Sequence, residues 1–307
     1  MRILNFGSLN IDYVYRVDSF IRPGETKASK SLSVNCGGKG LNQSVAAAQA
    51  GCTVLHAGKI GRDGAMLREK LTEKGVDVRL LEATDGLCGN AIIQVDDAGQ
   101  NCILLFGGTN RELTEEMIEK TLDAFGSEGV VLMQNETNLV GTIIERAHAR
   151  GLKTALNAAP MDKTVAEYPL DKLDYLFVNE VEGSELAGTA PTAEEIVPVL
   201  TEKYPGLDIV LTLGKNGAVY VSGGKKYRIG SCTVNAVDTT AAGDTFTGFF
   251  LGAVLSGKGR AEALRLATAA SAICVTRPGA ADSIPTVREV EETIASGKLN
   301  VPEVTEA

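Results

Sequence analysis

The sequence contains few of the residues and motifs that several common functions require. Only two histidines, His56 and His148, occur in 307 residues. We therefore expect no catalytic mechanism of the Ser-His-Asp or Cys-His type and no histidine-rich zinc site. The formal net charge of −9 leaves no basic excess for neutralising phosphates, which argues against nucleic-acid binding. No apolar run reaches the roughly 18 residues of a membrane span, and the first residues lack the apolar core of a secretory signal. These features predict a cytoplasmic globular protein with neither nucleic-acid nor membrane partners.

The cysteines are scattered, and none belongs to a C-x-x-C pair. Wide spacing in a long chain is typical of a reduced, intracellular protein and not of a disulfide framework. We expect these six residues to be small buried hydrophobic side chains: Cys36, Cys52, Cys88, Cys102, Cys232 and Cys274.

Both common nucleotide-binding fingerprints are missing. The segments SGKGR and GGKGLN fail the G-x-x-x-x-G-K-[ST] pattern, and no G-x-G-x-x-G occurs. An NAD-dependent oxidoreductase would require the second fingerprint. If the protein binds a nucleotide, it must do so by another device.

Most of the chain alternates apolar strand-like runs with helical patterns, which predicts an α/β fold. We expect a doubly wound, mainly parallel sheet in a three-layer α/β/α arrangement, within one domain spanning residues 1–307. A helix is predicted to start at Thr114, and the TAEE and TVRE segments have the spacing of capping boxes. A hairpin is predicted to turn at Gly223-Gly224.

Two segments, approximately 12–36 and 88–107, interrupt this alternation. Each shows β-type alternation without an intervening helix, which predicts a small inserted sheet. One interpretation is a lid over a site at the carboxyl edge of the main sheet, where open α/β sheets bind ligands. The alternatives are an added edge hairpin or a dimer surface.

The stretch VDTTAAGDTFTGFF has the features of an anion site at a helix N-terminus. Ala241, Ala242 and Gly243 are small enough to let the backbone approach a ligand, and the following helix offers unpaired N–H groups. A carboxylate at Asp244 would repel a bound phosphate unless it accepts a proton from a hydroxyl that attacks the phosphate. The alternative is that Asp244 only caps the helix.

Three further motifs hold candidate ligand-binding residues. In VNCGGKGLNQSV, a flexible turn around Lys39 leads into a helix predicted to begin near Asn42. In GSLNID, Asn10 and Asp12 lie on one side of an extended segment, where they could bind sugar hydroxyls or form a turn. In NEVE, residues 179–182, acids after a strand could bind Mg²⁺ or could simply begin a solvated helix.

In this order, the motifs resemble those of the ribokinase family of carbohydrate kinases, the phosphofructokinase-B type. GGKGLNQSVAAAQAG is similar to the first signature of that family and DTTAAGDTF to the second, and NEVE, TLGKNG and VTRPGAADSIP extend the resemblance over nearly the whole chain. The resemblance implies a ribokinase-like fold and ATP-dependent phosphorylation of the primary hydroxyl of D-ribose. The segments GGTN and QNET depart from the family pattern near the sugar motifs. A kinase for fructose, deoxyribose or a related ketose is therefore an alternative, as is a non-catalytic binding protein.

The resemblance also assigns roles to individual residues. It implies that Asp244 is the base and that the amides of Ala241, Ala242 and Gly243 bind the charge of the transferring phosphoryl group. The residues implied to hold the sugar are Asn10, Asp12, Gly38, Lys39, Asn42, Glu136 and Asp244. Those implied to contact ATP are Asn179, Thr212, Gly214, Gly217, Gly243 and Thr268, with Glu182 organising Mg²⁺. An activating monovalent cation such as K⁺ is implied beside Asp238, Thr240, Cys274, Arg277, Gly279 and Ser283, and the lid is implied to form a homodimer.

Overall fold

A computed structural model describes residues 2–306 and confirms the α/β architecture expected from the sequence. Within this range the strands are β1 (Arg2–Phe6), β2 (Asn10–Arg16), β3 (Ser31–Gly37), β4 (Thr53–Ile60), β5 (Asp77–Ala83), β6 (Gly89–Val95), β7 (Asn101–Phe106), β8 (Val130–Gln134), β9 (Lys153–Asn157), β10 (Tyr175–Asn179), β11 (Asp208–Thr212), β12 (Ala218–Ser222), β13 (Lys225–Ile229) and β14 (Thr305–Glu306). The α-helices are α1 (Lys39–Gln49), α2 (Ala65–Glu73), α3 (Glu115–Phe125), α4 (Val140–Ala149), α5 (Glu180–Ala187), α6 (Ala193–Lys203), α7 (Ala242–Leu255), α8 (Arg260–Cys274) and α9 (Val287–Ala295).

The main sheet has the strand order β14-β13-β12-β11-β10-β9-β8-β1-β4-β5 in the described part of the chain. All pairs from β11 to β5 are parallel, whereas β12, β13 and β14 form an antiparallel edge. All five residues of β8 are buried. Buried, largely apolar strands of this kind are typical of a parallel sheet that is covered on both faces.

Helices cover the two faces of the main sheet and form two separate cores. Successive side chains of a strand point to opposite faces, so Ile3 and Leu4 belong to different cores. The core on the Ile3 side includes residues of α1, α7 and α8, and the core on the Leu4 side includes residues of α3, α4, α5 and α6. This is the three-layer arrangement predicted from the alternation of strands and helices.

Helices α1 and α7 pack unusually closely. A Cβ atom at Gly248 of α7 would lie 2.4 Å from the Cβ atom of Ala46 and 2.6 Å from the backbone nitrogen of Ala47, both in α1. Only glycine permits this approach. The contact places the glycine-rich turn before α1 beside the first turn of α7.

The two interrupting segments form a second, four-stranded sheet with the order β3-β2-β6-β7. Strands β2 and β6 pair in parallel, and β6 and β7 form a hairpin around Gly99, whose φ is +77°. Every residue of β7 is exposed. We call this second sheet the lid sheet.

Several local predictions are confirmed and others are wrong. The Gly223-Gly224 hairpin is present, with positive φ at both glycines. Helix α1 begins at Lys39 and not near Asn42, because Gly40 lies against the backbone of the segment after β1, where a Cβ atom would be 2.1 Å from the Ser8 nitrogen. Helix α6 starts at the TAEE segment, but the Thr192 side chain makes no capping hydrogen bond.

The cysteines differ from one another in exposure. All six cysteines are free thiols, and four are buried, but Cys102 is exposed on the lid sheet and Cys36 is half-buried. The expectation of uniformly buried cysteines is therefore wrong for Cys102.

No helix within residues 2–306 combines the length and the apolar character needed to cross a membrane.

Candidate active site

A cleft of about 1400 Å³ lies between the carboxyl edge of the main sheet and the lid sheet. Single ligand pockets usually measure roughly 300–1,000 Å³, so the cleft has room for a nucleotide and a second small molecule. Residues from the GSLNID, GGKGLN, NEVE and DTTAAGD segments all line it. Segments that are far apart in the chain therefore meet at one site, as expected for the carboxyl edge of an open α/β sheet.

Asp244 lies in the first turn of α7 and is 8% exposed. Both of its carboxylate oxygens accept amide hydrogen bonds, Oδ2 from Asn42 Nδ2 at 3.0 Å and Oδ1 from Gln43 Nε2 at 2.9 Å. The helix begins after Ala241, whose φ is +61°, and no side chain caps it. Asp244 is therefore not a helix cap. Ala241, Ala242 and Gly243 line the cleft at the start of the helix, and the Ala242 nitrogen also donates to the Thr239 carbonyl at 3.3 Å.

Glu136 holds the glycine-rich turn before α1. Its Oε2 atom accepts a hydrogen bond from the Lys39 backbone nitrogen at 2.9 Å and another from the hydroxyl of Ser8. Gly38 has a φ of +94°, a conformation that favours glycine. The turn is thus fixed both by its backbone conformation and by a carboxylate from the segment after β8.

Asn10 and Asp12 point into the cleft from β2. Asn10 Oδ1 accepts a hydrogen bond from Asn110 Nδ2 at 2.8 Å, and Asn110 Oδ1 accepts one from the Leu9 nitrogen at 2.9 Å. The sequence interpretation noted GGTN only as a departure from the family and missed the role of Asn110 in orienting Asn10. The burial of Asn110 to 4% exposure, in the short 3₁₀ turn Gly108–Arg111, is the signal that only the structure provides.

The charged groups of the cleft alter one another's protonation. Burial raises the pKa of Asp12 to about 7, with a smaller contribution from Glu136. Burial alone would lower the pKa of Lys39, but Asp244, Glu136 and Glu182 outweigh burial and raise it. A lysine with three carboxylates around it stays cationic, so it can bind polar or anionic parts of a ligand.

Asn179 and Glu182 form a reciprocal capping box at the start of α5. Asn179 Oδ1 accepts a hydrogen bond from the Glu182 nitrogen at 2.9 Å, and Glu182 Oε2 accepts one from the Asn179 nitrogen at 2.8 Å. Burial raises the pKa of Glu182, against the opposing effects of the Asn179 amide and Lys39. Both residues line the cleft. The NEVE motif therefore has a structural role in addition to any role toward a ligand.

The other residues implied to contact ATP occupy different positions. Thr212 lines the cleft beside Asn179, its neighbour across the β10–β11 pair. Gly214 and Gly217 lie just beyond β11, and at Gly217 a Cβ atom would be 1.9 Å from the Ile229 carbonyl oxygen. Thr268 is buried in α8, where its hydroxyl donates to the Leu264 carbonyl. Close packing and a helix hydrogen bond thus explain Gly217 and Thr268 without a ligand.

Asp238 connects two loops at the edge of the cleft. Its Oδ1 atom accepts hydrogen bonds from the Thr240 nitrogen at 2.9 Å and hydroxyl at 2.6 Å, and its Oδ2 atom accepts one from the Gly279 nitrogen at 3.0 Å. Burial opposes ionisation, but these hydrogen bonds lower the pKa of Asp238 overall. The carboxylate therefore holds the loop before α7 against the loop after α8.

The remaining residues implied to bind a monovalent cation lie around the same two loops. The Cys274 sulfur is 3.0 Å from Ser283 Oγ and 3.8 Å from the Thr240 carbonyl oxygen. The Arg277 side chain forms an ion pair with Glu289 of α9 and is not part of the cleft lining. No group of three or more His, Cys, Asp or Glu residues that could hold a metal ion occurs within residues 2–306.

The fold and the site together define a class of enzyme: an ATP-dependent carbohydrate kinase. The chain matches the family described as pfkB family carbohydrate kinase over residues 2–287, and it belongs to that family. The resemblance found in the sequence motifs is thereby confirmed.

Known proteins of this family are similar to the chain over almost its whole length. It is 35% identical over 294 residues to the ribokinase of Haemophilus influenzae, covering 93% of this chain and 96% of that protein. The structure of Arabidopsis thaliana ribokinase complexed with ribose and ATP superposes with a TM-score of 0.85 and 29% identity, covering 94% of this chain and 97% of that one. A ribokinase of Cryptococcus neoformans in complex with ADP gives a TM-score of 0.82 and 32% identity, with coverage of 95% and 99%.

Proposed function

We propose that the protein transfers the γ-phosphoryl group of ATP to the primary hydroxyl of D-ribose, giving D-ribose 5-phosphate and ADP. The observation that carries this proposal is the position of Asp244. Its carboxylate lies in the first turn of α7, held by Asn42 and Gln43, in the cleft that the lid sheet overhangs. The ribose, ATP and ADP complexes of the similar ribokinases support the choice of substrates.

In the proposed reaction, the oxygen of the sugar hydroxyl forms a bond to the γ-phosphorus of ATP, and Asp244 accepts the proton that this hydroxyl loses. The bond between this phosphorus and the β–γ bridging oxygen breaks, and ADP leaves. The amides of Ala241, Ala242 and Gly243, at the positive end of α7, stabilise the charge on the transferring group. Small side chains at these positions let the phosphoryl oxygens reach the backbone.

The sugar is proposed to lie between the lid sheet and the glycine-rich turn. Asn10 and Asp12 would contact it from β2, and Lys39 and Asn42 from α1. Glu136 would contact it from the segment after β8, and the Gly38 backbone would lie close to it. Several polar groups on different elements suit a polyhydroxylated ligand, because each hydroxyl both donates and accepts hydrogen bonds.

ATP is proposed to lie over the carboxyl ends of β10 and β11, with its phosphates toward α7. Asn179 and Thr212 line this part of the cleft, and Gly214, Gly217 and Thr268 would border the more distant part of the nucleotide. Gly243 would contact the phosphates. Ala236 and Val237, from the loop before α7, also line the cleft.

Mg²⁺ fits this site as a companion of the phosphates. Mg²⁺ is typically held by one or two carboxylates together with waters and substrate phosphates, so a dedicated protein cage is not required. The Glu182 carboxylate lines the cleft and uses one oxygen in the capping box, so it would organise the ion or its waters. When bound, Mg²⁺ would neutralise charge on the β- and γ-phosphates. Loss of turnover on chelation with EDTA, restored by added Mg²⁺, would be the expected result; unchanged turnover would contradict it.

A monovalent cation such as K⁺ is proposed beside the loops that Asp238 connects. The Asp238 carboxylate and backbone carbonyls from several of the positions Thr240, Cys274, Arg277, Gly279 and Ser283 would supply oxygen ligands, which suit an alkali-metal ion. When bound, such an ion would hold the loop before α7 in place. Exchange of K⁺ for tetramethylammonium should therefore lower kcat, and indifference to the cation would contradict the proposal.

The lid sheet is proposed to form the interface of a homodimer. Ile103 and Leu105 of β7 line the cleft, whereas Leu104 and Phe106 alternate with them and point to the opposite face of the lid sheet, where they are 68% and 54% exposed. Ile92 of β6 pairs with Leu104 and is 41% exposed on the same face. Contiguous exposed apolar surface of this kind marks an interaction site. Because the lid sheet also lines the cleft, dimerisation would couple the position of the lid sheet to the site.

The free thiols are consistent with a proposed cytoplasmic location.

The function is tested by measuring ADP release with ATP, Mg²⁺ and K⁺ across a panel of pentoses and hexoses. The highest kcat/KM is expected for D-ribose, and a clear preference for deoxyribose or fructose would replace the proposed substrate while keeping the chemistry. Asp244→Asn should lower kcat at least roughly 10²-fold, the usual scale for a positioned base, while ATP binding by calorimetry is largely kept. The surface variant Asp171→Asn is the matched control and should retain full turnover. Near-normal turnover of Asp244→Asn would remove this carboxylate from the mechanism.

A further inference from the structure

A chain of buried polar side chains extends from Asp244 into the interior of the protein. Its members lie between the main sheet and α1, on four different elements, and each has zero exposure. They are Asn5 of β1, Gln43 and Ser44 of α1, His56 of β4 and Gln134 of β8. Buried amides and imidazoles are costly unless they are hydrogen-bonded, so the arrangement of this group is tightly constrained.

The orientations of the three side-chain amides in this buried network follow from the Gly40 backbone carbonyl. Asn5 Nδ2 lies 2.8 Å from the Gly40 carbonyl oxygen. Because a carbonyl oxygen only accepts, the NH₂ group of Asn5 must face it, and Asn5 Oδ1 must then face Gln134. Gln134 Nε2 accordingly donates to Asn5 Oδ1 at 3.0 Å and to Gln43 Oε1 at 2.8 Å.

The orientation of the Gln43 amide follows in turn. With its Oε1 atom accepting from Gln134, the NH₂ group of Gln43 is on the side of Asp244 and donates to Oδ1 at 2.9 Å. The reverse orientation would place Gln43 Oε1 against the carboxylate of Asp244. It would also remove the acceptor that Gln134 Nε2 now faces. Two acceptors would then face each other inside the protein without a proton between them.

The other end of the chain is equally constrained. Burial lowers the pKa of His56 to about 4, so the ring is neutral at ordinary pH. Its Nε2 atom lies 3.2 Å from the Gly7 carbonyl oxygen and must carry the proton, so Nδ1 accepts from Ser44 Oγ at 2.8 Å. Ser44 Oγ in turn accepts from Asn5 Nδ2 at 2.8 Å, which secures the Asn5 amide from a second side.

We propose that Gln134 and Asn5 are positioning residues for the reaction: they hold the Gln43 amide so that it donates to the carboxylate of Asp244. This inference rests on the proposed function of Asp244 as the base. Neither residue lines the cleft, and the hydrogen bond from Gln134 to Gln43 is the link between this pair and the carboxylate. A carboxylate with a fixed donor on each oxygen is also fixed in direction, which matters for a base that must meet one particular hydroxyl.

Other charged or titratable groups near Asp244 must be distinguished from this effect. Lys39, Glu182 and Cys274 all interact electrostatically with the carboxylate, and Asn42 donates to its second oxygen. None of these groups hydrogen-bonds to Gln134 or Asn5. A change at Gln134 therefore removes no hydrogen bond of these groups, and it acts on the carboxylate through the constraint on Gln43.

The test is a double-mutant cycle with Gln134→Met and Gln43→Met, in which methionine keeps the length of the side chain and removes the amide. Gln43→Met removes a hydrogen bond to a charged group and should lower kcat about tenfold or more. Gln134→Met should lower kcat by a similar or smaller factor and move the ascending limb of kcat against pH to higher pH, with KM for ATP unchanged. Because Gln134 acts through Gln43, the double variant should be no slower than Gln43→Met. Losses that multiply, or a Gln134→Met profile identical to that of the wild type, would overturn the proposal.

Gln49→Met is the matched control, because Gln49 lies at the far end of α1 and donates only to the Lys74 carbonyl. Its pH profile should equal that of the wild type. If Gln134→Met does not fold, the wild-type protein itself provides the measurement. The sequence contains five glutamines, and selective ¹⁵N labelling should show two side-chain amides, those of Gln43 and Gln134, that shift over the pH range of the ascending limb. Absence of any such shift would contradict the inference.

The result also separates this inference from the function on which it rests. If Asp244→Asn retains turnover, the proposed base is wrong and the inference fails with it. If Asp244→Asn is inactive but Gln134→Met has a normal profile, the base stands and only the positioning role is wrong.

Discussion

The close packing of α1 against α7 makes a sharp prediction for Gly248→Ala. The added methyl carbon would lie 2.4 Å from the Ala46 Cβ atom and 2.6 Å from the Ala47 nitrogen, where ordinary contact begins at 3.4 Å. Because two of the three nearest atoms belong to the backbone of α1, no side chain can rotate away. The helices must separate by about 1 Å to restore normal carbon–carbon distances.

Two opposing contributions determine the effect on stability. Alanine is favoured over glycine inside a helix by about 1 kcal/mol, whereas overpacking a core typically costs about 1–3 kcal/mol. The backbone contacts place Gly248 at the severe end of overpacking, so we expect a net decrease in the free energy of unfolding. Since α1 holds Asn42 and α7 holds Asp244, a displacement of about 1 Å should also lower kcat, by up to roughly 10²-fold.

The matched control is Gly141→Ala, the same change in α4. There the added carbon would lie 3.4 Å from Tyr168 Cδ1 and 3.6 Å from Pro169 Cδ, which are ordinary contacts. This variant should be at least as stable as the wild type and fully active. Urea unfolding followed by circular dichroism, together with ADP release at saturating substrates, measures both effects. A Gly248→Ala protein with unchanged stability and kcat would refute the argument that this contact aligns the two halves of the site.

Three further predictions concern helix caps, pH dependence and assembly. Thr114→Ala should lower the free energy of unfolding by about 1 kcal/mol, because the Thr114 hydroxyl accepts a hydrogen bond from the Met117 nitrogen. Thr192→Ala should lower it clearly less, because the Thr192 side chain makes no capping hydrogen bond. Equal losses in urea unfolding would contradict this prediction. Burial and, to a smaller extent, Glu136 raise the pKa of Asp12 from 3.8 to about 7. Between pH 3.8 and about pH 7 the native state therefore binds more protons than the unfolded chain, so the free energy of unfolding should fall as the pH rises through this window. Asp12→Asn should flatten that slope, and an unchanged slope between pH 5 and pH 8 would argue against the shift. Leu104→Asp should convert a dimer to a monomer in light scattering while Val181→Asp, at an exposed position on α5, should not; a wild-type monomer would contradict the proposed dimer.

Much of the fold was predictable because its determinants are local. Strands that are buried and largely apolar, such as β8, indicate a parallel sheet covered on both faces, and paired glycines such as Gly223-Gly224 specify a hairpin turn. The lid strands were recognisable because two segments switch from helical to alternating periodicity. The small residues before Asp244 indicated a backbone open to an anion.

Predictions at element boundaries were less accurate, because tertiary contacts compete with local preference. Helix α1 begins at Lys39, three residues earlier than predicted, where Gly40 lies against the segment after β1. Thr192 has the spacing of a capping box but makes no cap bond, whereas Asn179 and Glu182 form a complete one. Spacing shows that a cap is possible, and the orientation of the side chain decides whether it forms.

The sequence by itself determined which residue types are available for phosphoryl transfer: a carboxylate after small residues, a glycine-rich turn with a lysine, and no histidine-based alternative. Only the tertiary structure decided how they are combined. Asn42 and Asp244 are 202 positions apart in the chain, yet Asn42 Nδ2 lies 3.0 Å from Asp244 Oδ2. The Gln43 amide contacts Gln134 of β8, which in turn contacts Asn5 of β1. The physical reason is that periodicity and turn preferences act over a few residues, whereas hydrogen-bond direction in a buried network depends on every partner at once.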